Sequence, residues 1–344
     1  AVTQRILLIY TGGTIGMMED PRSGSLVPLD FDHILEHVPE LNRFRVQLGV
    51  HAFAEPMDSS DAEVAHWQEI AGIIRDQYTA YDGFVVLHGT DTMAYSASAL
   101  SFMLSNLAKP IVFTGSQVPI GRIRTDGKEN LITAVEIAAA RRDGSPVVQE
   151  VCICFQAHLF RGNRTMKYST EEFDAFRSPN CPPLADIGIH IFYRHDGLIR
   201  PAGPFTVDSR MDTRVGILKV FPGMQEDMLR AVLLDSGLKG IILETYGSGN
   251  APRIPWFIRL LEEALRNGLV VVNVSQCAEG FVEQGRYKTS QDLARIGVTG
   301  GADMTTEAAL AKLMHLLGQE LTIEEVRRQM VADLRGELRT FSSR

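Results

Sequence analysis

What most constrains this chain is a rhythm: short, β-branched apolar runs alternate with longer stretches of helical period. RILLIY at 5–10, GFVVLH at 83–88, PIVFT at 110–114 and QEVCICF at 149–155 read as strands, and a further one is expected near 45–53. Between them, residues 61–78 carry Val64, Trp67, Ala71, Ile74 and Tyr78 at three- and four-residue steps, one face of a helix. Ser60-x-x-Glu63 has the form of a capping box, so that helix is expected to begin just after Ser60. Helices are also expected at 92–107 and 127–142. Strands alternating with helices in this way build an α/β fold around a largely parallel sheet.

Past about residue 178 the rhythm breaks. Pro179, Pro182, Pro183, Pro201 and Pro204 put five of the chain's 15 prolines into one connecting stretch. Strands then return near 214–220, 239–244 and 269–275, with helices near 225–236, 254–267, 304–318 and 322–334. The expected organisation is a larger N-terminal α/β domain with a mostly parallel sheet (1–195), a linker (196–212) and a smaller C-terminal α/β domain with a parallel sheet (213–344). The length of 344 residues suits two domains at about 150 residues each.

Composition narrows the partners. With 34 basic and 42 acidic side chains and a formal charge of -8, no broad positive surface is implied for nucleic acid or anionic lipid. No segment has the roughly 18 uninterrupted apolar residues of a membrane span. A small ligand is therefore expected. The four cysteines, Cys152, Cys154, Cys181 and Cys277, lack C-x-x-C spacing and read as reduced thiols. Cys152 and Cys154 alternate on one strand face and read as core. AVTQRILLIY runs straight into a strand without the parts of a signal peptide, which points to the cytoplasm.

In open α/β sheets, ligands gather beyond the carboxyl ends of the strands, so the turns there are where chemistry is sought. Four of them carry hydroxyls or carboxylates. Thr11-Gly12-Gly13-Thr14-Ile15-Gly16 matches neither nucleotide-binding glycine motif, and Thr14 stands on its flexible loop. In Asp58-Ser59-Ser60, Ser60 reads as helix-start chemistry, while Asp58 and Ser59 precede it and can face a ligand. In His88-Gly89-Thr90-Asp91-Thr92, Asp91 reads equally as an N-cap or a ligand-facing carboxylate, and His88 as a satisfied buried histidine rather than a base. Thr114-Gly115-Ser116-Gln117 is the fourth. Gathered at one sheet edge, such a set suits acyl transfer. A threonine hydroxyl needs a nearby proton acceptor, and Lys167, held by Asp91, could tune one unless it is an ordinary surface lysine.

The first and third turns, TGGTIG at 11–16 and HGTDTM at 88–93, together resemble the two signatures of the asparaginase/glutaminase family. The similarity runs through MDSSD at 57–61, TGSQVP at 114–119, RGNRTMK at 161–167, YGSGNAP at 246–252, GGADMT at 300–305 and LRGEL at 334–338. These features resemble the cytosolic, type I branch of L-asparaginases.

The resemblance implies hydrolysis of L-asparagine to L-aspartate and ammonia, without metal or organic cofactor, in a homotetramer built as a dimer of dimers. Thr14 would be the nucleophile, with Thr90, Asp91 and Lys167 as the proton-transfer group. An acyl-threonine on Thr14 is favoured over direct attack by activated water. Asp58, Ser59, Ser60, Thr90, Asp91 and Ser116 would hold the substrate, and Asn250 would reach it across the dimer interface. Backbone amides near Thr14 and Thr90 would stabilise the oxyanion. Two departures stand out. The loop after the nucleophile, residues 19–27, contains no tyrosine where bacterial members bring one over the site. Some type I members also hold a second asparagine between an arginine and a cysteine; Cys277 matches the cysteine, but Glu244 occupies the arginine position. A glutaminase or dual-specificity enzyme is the close alternative, and a non-catalytic amino-acid sensor is the alternative from another class.

Overall fold

Strand Gln4–Gly12 pairs in parallel with Val46–Met57 on one side and with Gly83–Leu87 on the other. Gly83–Leu87 continues in parallel to Ile111–Thr114, and that strand to Val151–Phe155. These last three strands are buried along their whole length, which is why they read as unbroken apolar runs. The computed structural model describes residues 2–28, 30 and 34–340. Within it the chain divides into two units, Ala1–Ser209 and Arg210–Arg344.

In the first unit, one sheet face packs Ile6, Leu8, Val85, Leu87 and Val112 against Leu131, Ala134, Val135 and Ala138 of helix Gly127–Ala139. Cys152 and Cys154 belong to this core, as their alternation implied. The sheet has eight strands, because beyond Val151–Phe155 it continues antiparallel through His158–Arg161, Ala185–Ile187 and Ile191–Tyr193. That hairpin extension was not legible in the sequence. Its two-residue turn, Gln156-Ala157, takes Gln156 to a φ of 51° without the Asn-Gly pair that usually announces such a conformation. Within the proline-rich stretch, Thr206–Val207 pairs with Leu104–Ser105, which ends helix Met93–Met103 short of the expected residue 107.

The helix expected after Ser60 runs from Val64 to Gln77 and buries Trp67, Ala71 and Ile74 as the spacing required. Its cap differs from the expected one. Glu63 is the N-cap and exchanges a capping box with His66, while Ser60 lies in a separate 3-10 turn, Ser59–Asp61, capped by Asp58. The pattern S-x-x-E was present, but the Asp58 carboxylate competes for the Ser60 N–H and hydroxyl and starts a tighter turn first.

The second unit is a four-stranded parallel sheet, Val215–Lys219, Gly240–Thr245, Val270–Ser275 and Thr299–Gly300. Helices Pro255–Arg266 and Lys288–Ile296 supply the core on one face; Thr306–Leu317 and Ile323–Met330 supply it on the other. Helix Lys288–Ile296 was not foreseen. Thr305 caps its helix by accepting the Ala308 N–H at 3.0 Å. The LRGEL run proves structural: buried Lys312 donates to the carbonyls of Met330 and Ala332 and faces Glu337 at 3.4 Å. Among the described residues no helix is long and apolar enough to cross a membrane.

Candidate active site

The four turns pack closely on one another, and a Cβ on Gly115 of the fourth would lie 2.3 Å from the His88 carbonyl oxygen of the third. Thr14 opens a 3-10 turn, Thr14–Gly16, behind Gly13 at φ +90°. A Cβ on Gly13 would lie 2.5 Å from the Gly89 nitrogen, and one on Gly89 would lie 2.5 Å from Ser59 Oγ. Both positions therefore have to be glycine. Two hydroxyls fasten the arrangement: Thr11 Oγ1 donates to the Leu87 carbonyl at 2.7 Å, and Thr92 Oγ1 donates to the Ser59 carbonyl at 2.7 Å. Beneath the first turn, the Tyr10 ring fills the space that a Cβ on Gly16 would need. Burial pushes the Tyr10 hydroxyl up to about 12, so it is a packing group rather than an acid near neutral pH.

Asp91 does not cap the helix that follows; Thr92 occupies the N-cap position. The Asp91 carboxylate instead accepts from Lys167 Nζ at 2.6 Å, and the same ammonium donates to Thr90 Oγ1 at 2.8 Å. Lys167 is placed by the short strand Met166–Lys167, paired with Phe176–Arg177. That strand follows a 3-10 turn, Gly162–Arg164, whose side chains Asn163 and Arg164 are buried. The ion pair is asymmetric, with the Lys167 side chain 19% exposed and that of Asp91 59% exposed. Its strength is therefore screened, and its value lies in aiming the amine at Thr90. Asp58, further back, has its carboxyl held below the usual range by the hydrogen bonds from Ser60, so it carries its charge.

His88 is buried with both ring nitrogens engaged, as expected of a satisfied histidine, and burial pushes it down to about 4. It is neutral at pH 7. In the fourth turn, buried Ser116 donates its hydroxyl proton to the Val118 carbonyl at 2.8 Å. Two residues that sequence reasoning missed hold this turn. Asp126 accepts the N–H groups of Gln117 and Val118, and Asn130 Nδ2 donates to the Gly115 carbonyl. Gln117, in the turn that the sequence singled out, presents Oε1 to the Thr90 hydroxyl at 3.5 Å, a long contact. Asp126 immediately precedes helix Gly127–Ala139 and so looks like an N-cap; only the fold turns it back onto the loop.

The loop after Thr14 is a hairpin, Met17–Glu19 against Leu26–Pro28, tied by a half-exposed Glu19–Arg122 pair at 3.6 Å. In the second unit, Asn250 closes a turn with Tyr246, and its Oδ1 accepts from Thr289 Oγ1 at 2.6 Å. Glu244 accepts from Thr306 Oγ1 at 3.2 Å, and Cys277 is exposed. Burial, together with the Glu244 charge, pushes neighbouring Glu307 up to about 7.

A hydroxyl on a glycine loop, packed against a threonine–lysine–aspartate set at the carboxyl ends of parallel strands, defines the class: an α/β amidohydrolase. The chain belongs to the asparaginase family. Residues 5–198 match the model described as asparaginase, N-terminal, and residues 214–330 the glutaminase/asparaginase C-terminal domain. It is 45% identical over 339 residues to L-asparaginase 1 of Escherichia coli, covering 97% of each chain. The crystal structure of L-asparaginase I from Vibrio cholerae is similar, with a TM-score of 0.89, 41% identity and coverage of 98% of this chain and 100% of that one. The thermostable L-asparaginase from Thermococcus kodakarensis gives 0.90 at 32% identity over the same shares. The resemblance carried by the two signatures is thus borne out along nearly the whole chain.

Proposed function

We propose that this chain hydrolyses L-asparagine to L-aspartate and ammonia, with Thr14 as nucleophile and Thr90, Lys167 and Asp91 as the proton-transfer group. The observation that carries the reading is Lys167 Nζ held between Thr90 Oγ1 and Asp91 Oδ1, next to a loop whose Thr14 hydroxyl has no hydrogen-bond partner among the described residues. Thr14 Oγ attacks the side-chain amide carbon, and its proton passes through the Thr90–Lys167 pair to the departing nitrogen, which leaves as ammonia. Water then adds to the acyl-threonine, one of its protons returns to Thr14 Oγ, and aspartate leaves as a carboxylate while the second proton converts the released ammonia to ammonium. By the resemblance to the family, this is hydrolysis without a metal or an organic cofactor. Asp58, Ser59 and Asp91 supply the carboxylates and donors for the α-ammonium and α-carboxylate, and the Ser116 turn places the amide; Ser60, expected from the resemblance to join them, gives both its N–H and its hydroxyl proton to Asp58 instead.

Ammonia release from L-asparagine and L-glutamine, measured side by side, tests this. Asparagine is expected to be the better substrate, although one methylene is worth only about 1–3 kcal/mol. Faster turnover of glutamine would make the chain a glutaminase, and no turnover of either would sink the enzyme reading. The same titration is expected to be hyperbolic in asparagine. An effector carboxylate at Glu244 would meet a carboxylate, at about 4 kcal/mol of repulsion for unit charges 4 Å apart at an effective dielectric of 20. A Hill coefficient clearly above one, with a second bound asparagine lost in Cys277→Ala, would overturn that expectation.

The protein is proposed to work in the cytoplasm as a homotetramer, a dimer of dimers, in which Asn250 completes the neighbouring subunit's site. The resemblance of the sequence motifs to the type I branch carries this reading. Mixed and reassembled Asn250→Ala and Thr14→Val subunits, each weakly active alone, are expected to recover activity. Recovery no greater than the sum of the parents would argue for self-contained sites.

A further inference from the structure

His88 sits at the hub of the site turns without touching substrate chemistry, and its hydrogen bonds have only one consistent direction. Trp67 Nε1, from helix Val64–Gln77, donates to Ser96 Oγ at 2.8 Å. Ser96 lies on helix Met93–Met103, and its hydroxyl also meets His88 Nε2 at 2.8 Å. His88 Nδ1 lies 2.6 Å from the Gly89 carbonyl oxygen. A carbonyl only accepts, so Nδ1 carries the ring proton; Nε2 then accepts, and the Ser96 hydroxyl donates to it while accepting from Trp67. The direction therefore runs Trp67 to Ser96 to His88 to the Gly89 carbonyl. Each member is buried.

The Gly89 carbonyl belongs to the peptide unit whose nitrogen is Thr90. In a trans peptide the C=O and N–H point in opposite directions, and no cis bond occurs among the described residues. Holding the carbonyl at His88 therefore turns the Thr90 N–H away from the ring. Among the described residues that N–H donates to no protein group, while the Thr90 hydroxyl beside it is held by Lys167. On the other side of the same turn, the Gly89 nitrogen lies against Gly13, the residue before Thr14.

We infer that His88 is a positioning residue for the amide hydrolysis, and that the Trp67–Ser96–His88 relay clamps the Gly89 carbonyl so that the Thr90 N–H faces the oxyanion formed when Thr14 attacks. The inference rests on the amidohydrolase reading above. A donor aimed in advance at developing charge is effective because it needs no reorganisation in the transition state. The neutral ring suits the role, since a protonated ring would present a second donor to Ser96, whose hydroxyl would then accept from both Trp67 and His88 and lose its own acceptor. His88→Leu would lose every bond together with the fold's support, so the informative variants split the two nitrogens.

In His88→Asn, the side-chain amide nitrogen takes the place of Nδ1 and keeps a donor for Gly89. In His88→Gln, the longer side chain serves the Nε2 position facing Ser96 and leaves the Gly89 carbonyl without its donor. Each leaves one buried partner unmatched, so similar losses of stability in urea are expected. Turnover is expected to separate them. His88→Gln should lose about 10- to 100-fold in kcat, with KM and L-aspartate affinity nearly unchanged, and His88→Asn should recover most of that loss. Ser96→Ala, which keeps the histidine but removes the donor to its Nε2, should also lower kcat with KM held. Equal kcat losses in the asparagine and glutamine variants, losses that follow stability, or an unchanged kcat in Ser96→Ala would each overturn the relay. Wild-type protein that releases no ammonia from either amide would instead overturn the amidohydrolase reading beneath it.

Discussion

Thr14→Val is expected to lower L-asparagine turnover by at least about 10³-fold, with the fold and L-aspartate binding largely intact. Valine keeps the branched shape of threonine and removes only the hydroxyl. Because that hydroxyl bonds to no protein group among the described residues, its loss strands no buried partner, and stability should change by less than about 1 kcal/mol. Gly13, packed on Gly89, still sets the loop's path, so the product carboxylates should bind as before. The measurements are steady-state ammonia release, calorimetric titration with L-aspartate and a thermal melt. Near-normal turnover would reject Thr14 as nucleophile; lost turnover accompanied by lost aspartate binding would place it in binding instead.

Lys167→Met is expected to cost about 10² to 10⁴ in kcat, the usual span for a proton-transfer group. Methionine preserves the length of the stem and removes the amine that joins Thr90 Oγ1 to Asp91 Oδ1. Asp91 is mostly exposed and can be hydrated once its partner is gone, so the loss should appear in chemistry rather than in folding. Since the amine acts through the Thr90 hydroxyl, Thr90→Val combined with Lys167→Met should cost little more than either change alone. A variant in which only KM rises would make Lys167 a binding residue. Fully additive losses would separate the two groups.

Much of the site could be located along the chain, because strand ends and turn chemistry are local properties. RILLIY, GFVVL and PIVFT sit on buried strands of the first unit, and the hydroxyl-bearing turns follow three of them. The roles inside those turns were less accessible. Asp91 had two equal readings, N-cap or ligand-facing carboxylate, and what separates them is a lysine 76 residues further along the chain. Ser60 carried the first half of a capping box, yet Asp58 claims its N–H and hydroxyl. Asp126 and Asn130, which hold the fourth turn, bear no signal apart from their place at a helix start.

Residue order by itself determined the α/β class, the division into a larger and a smaller sheet unit, the burial of Cys152 and Cys154, and the turns where chemistry gathers. Hydrophobic period and glycine placement report the dihedral angles and burial of neighbouring residues, and these follow from short-range sterics and the need to cover apolar faces. Tertiary structure alone decided that Lys167 reaches Thr90 and Asp91, that His88 spends both nitrogens on Gly89 and Ser96, and that the first sheet ends in an antiparallel hairpin. Those are pairings of polar groups far apart in the chain. A hydrogen bond requires its two atoms within about 3 Å and in line, a condition that no local pattern encodes and that only the packed sheet and helices satisfy.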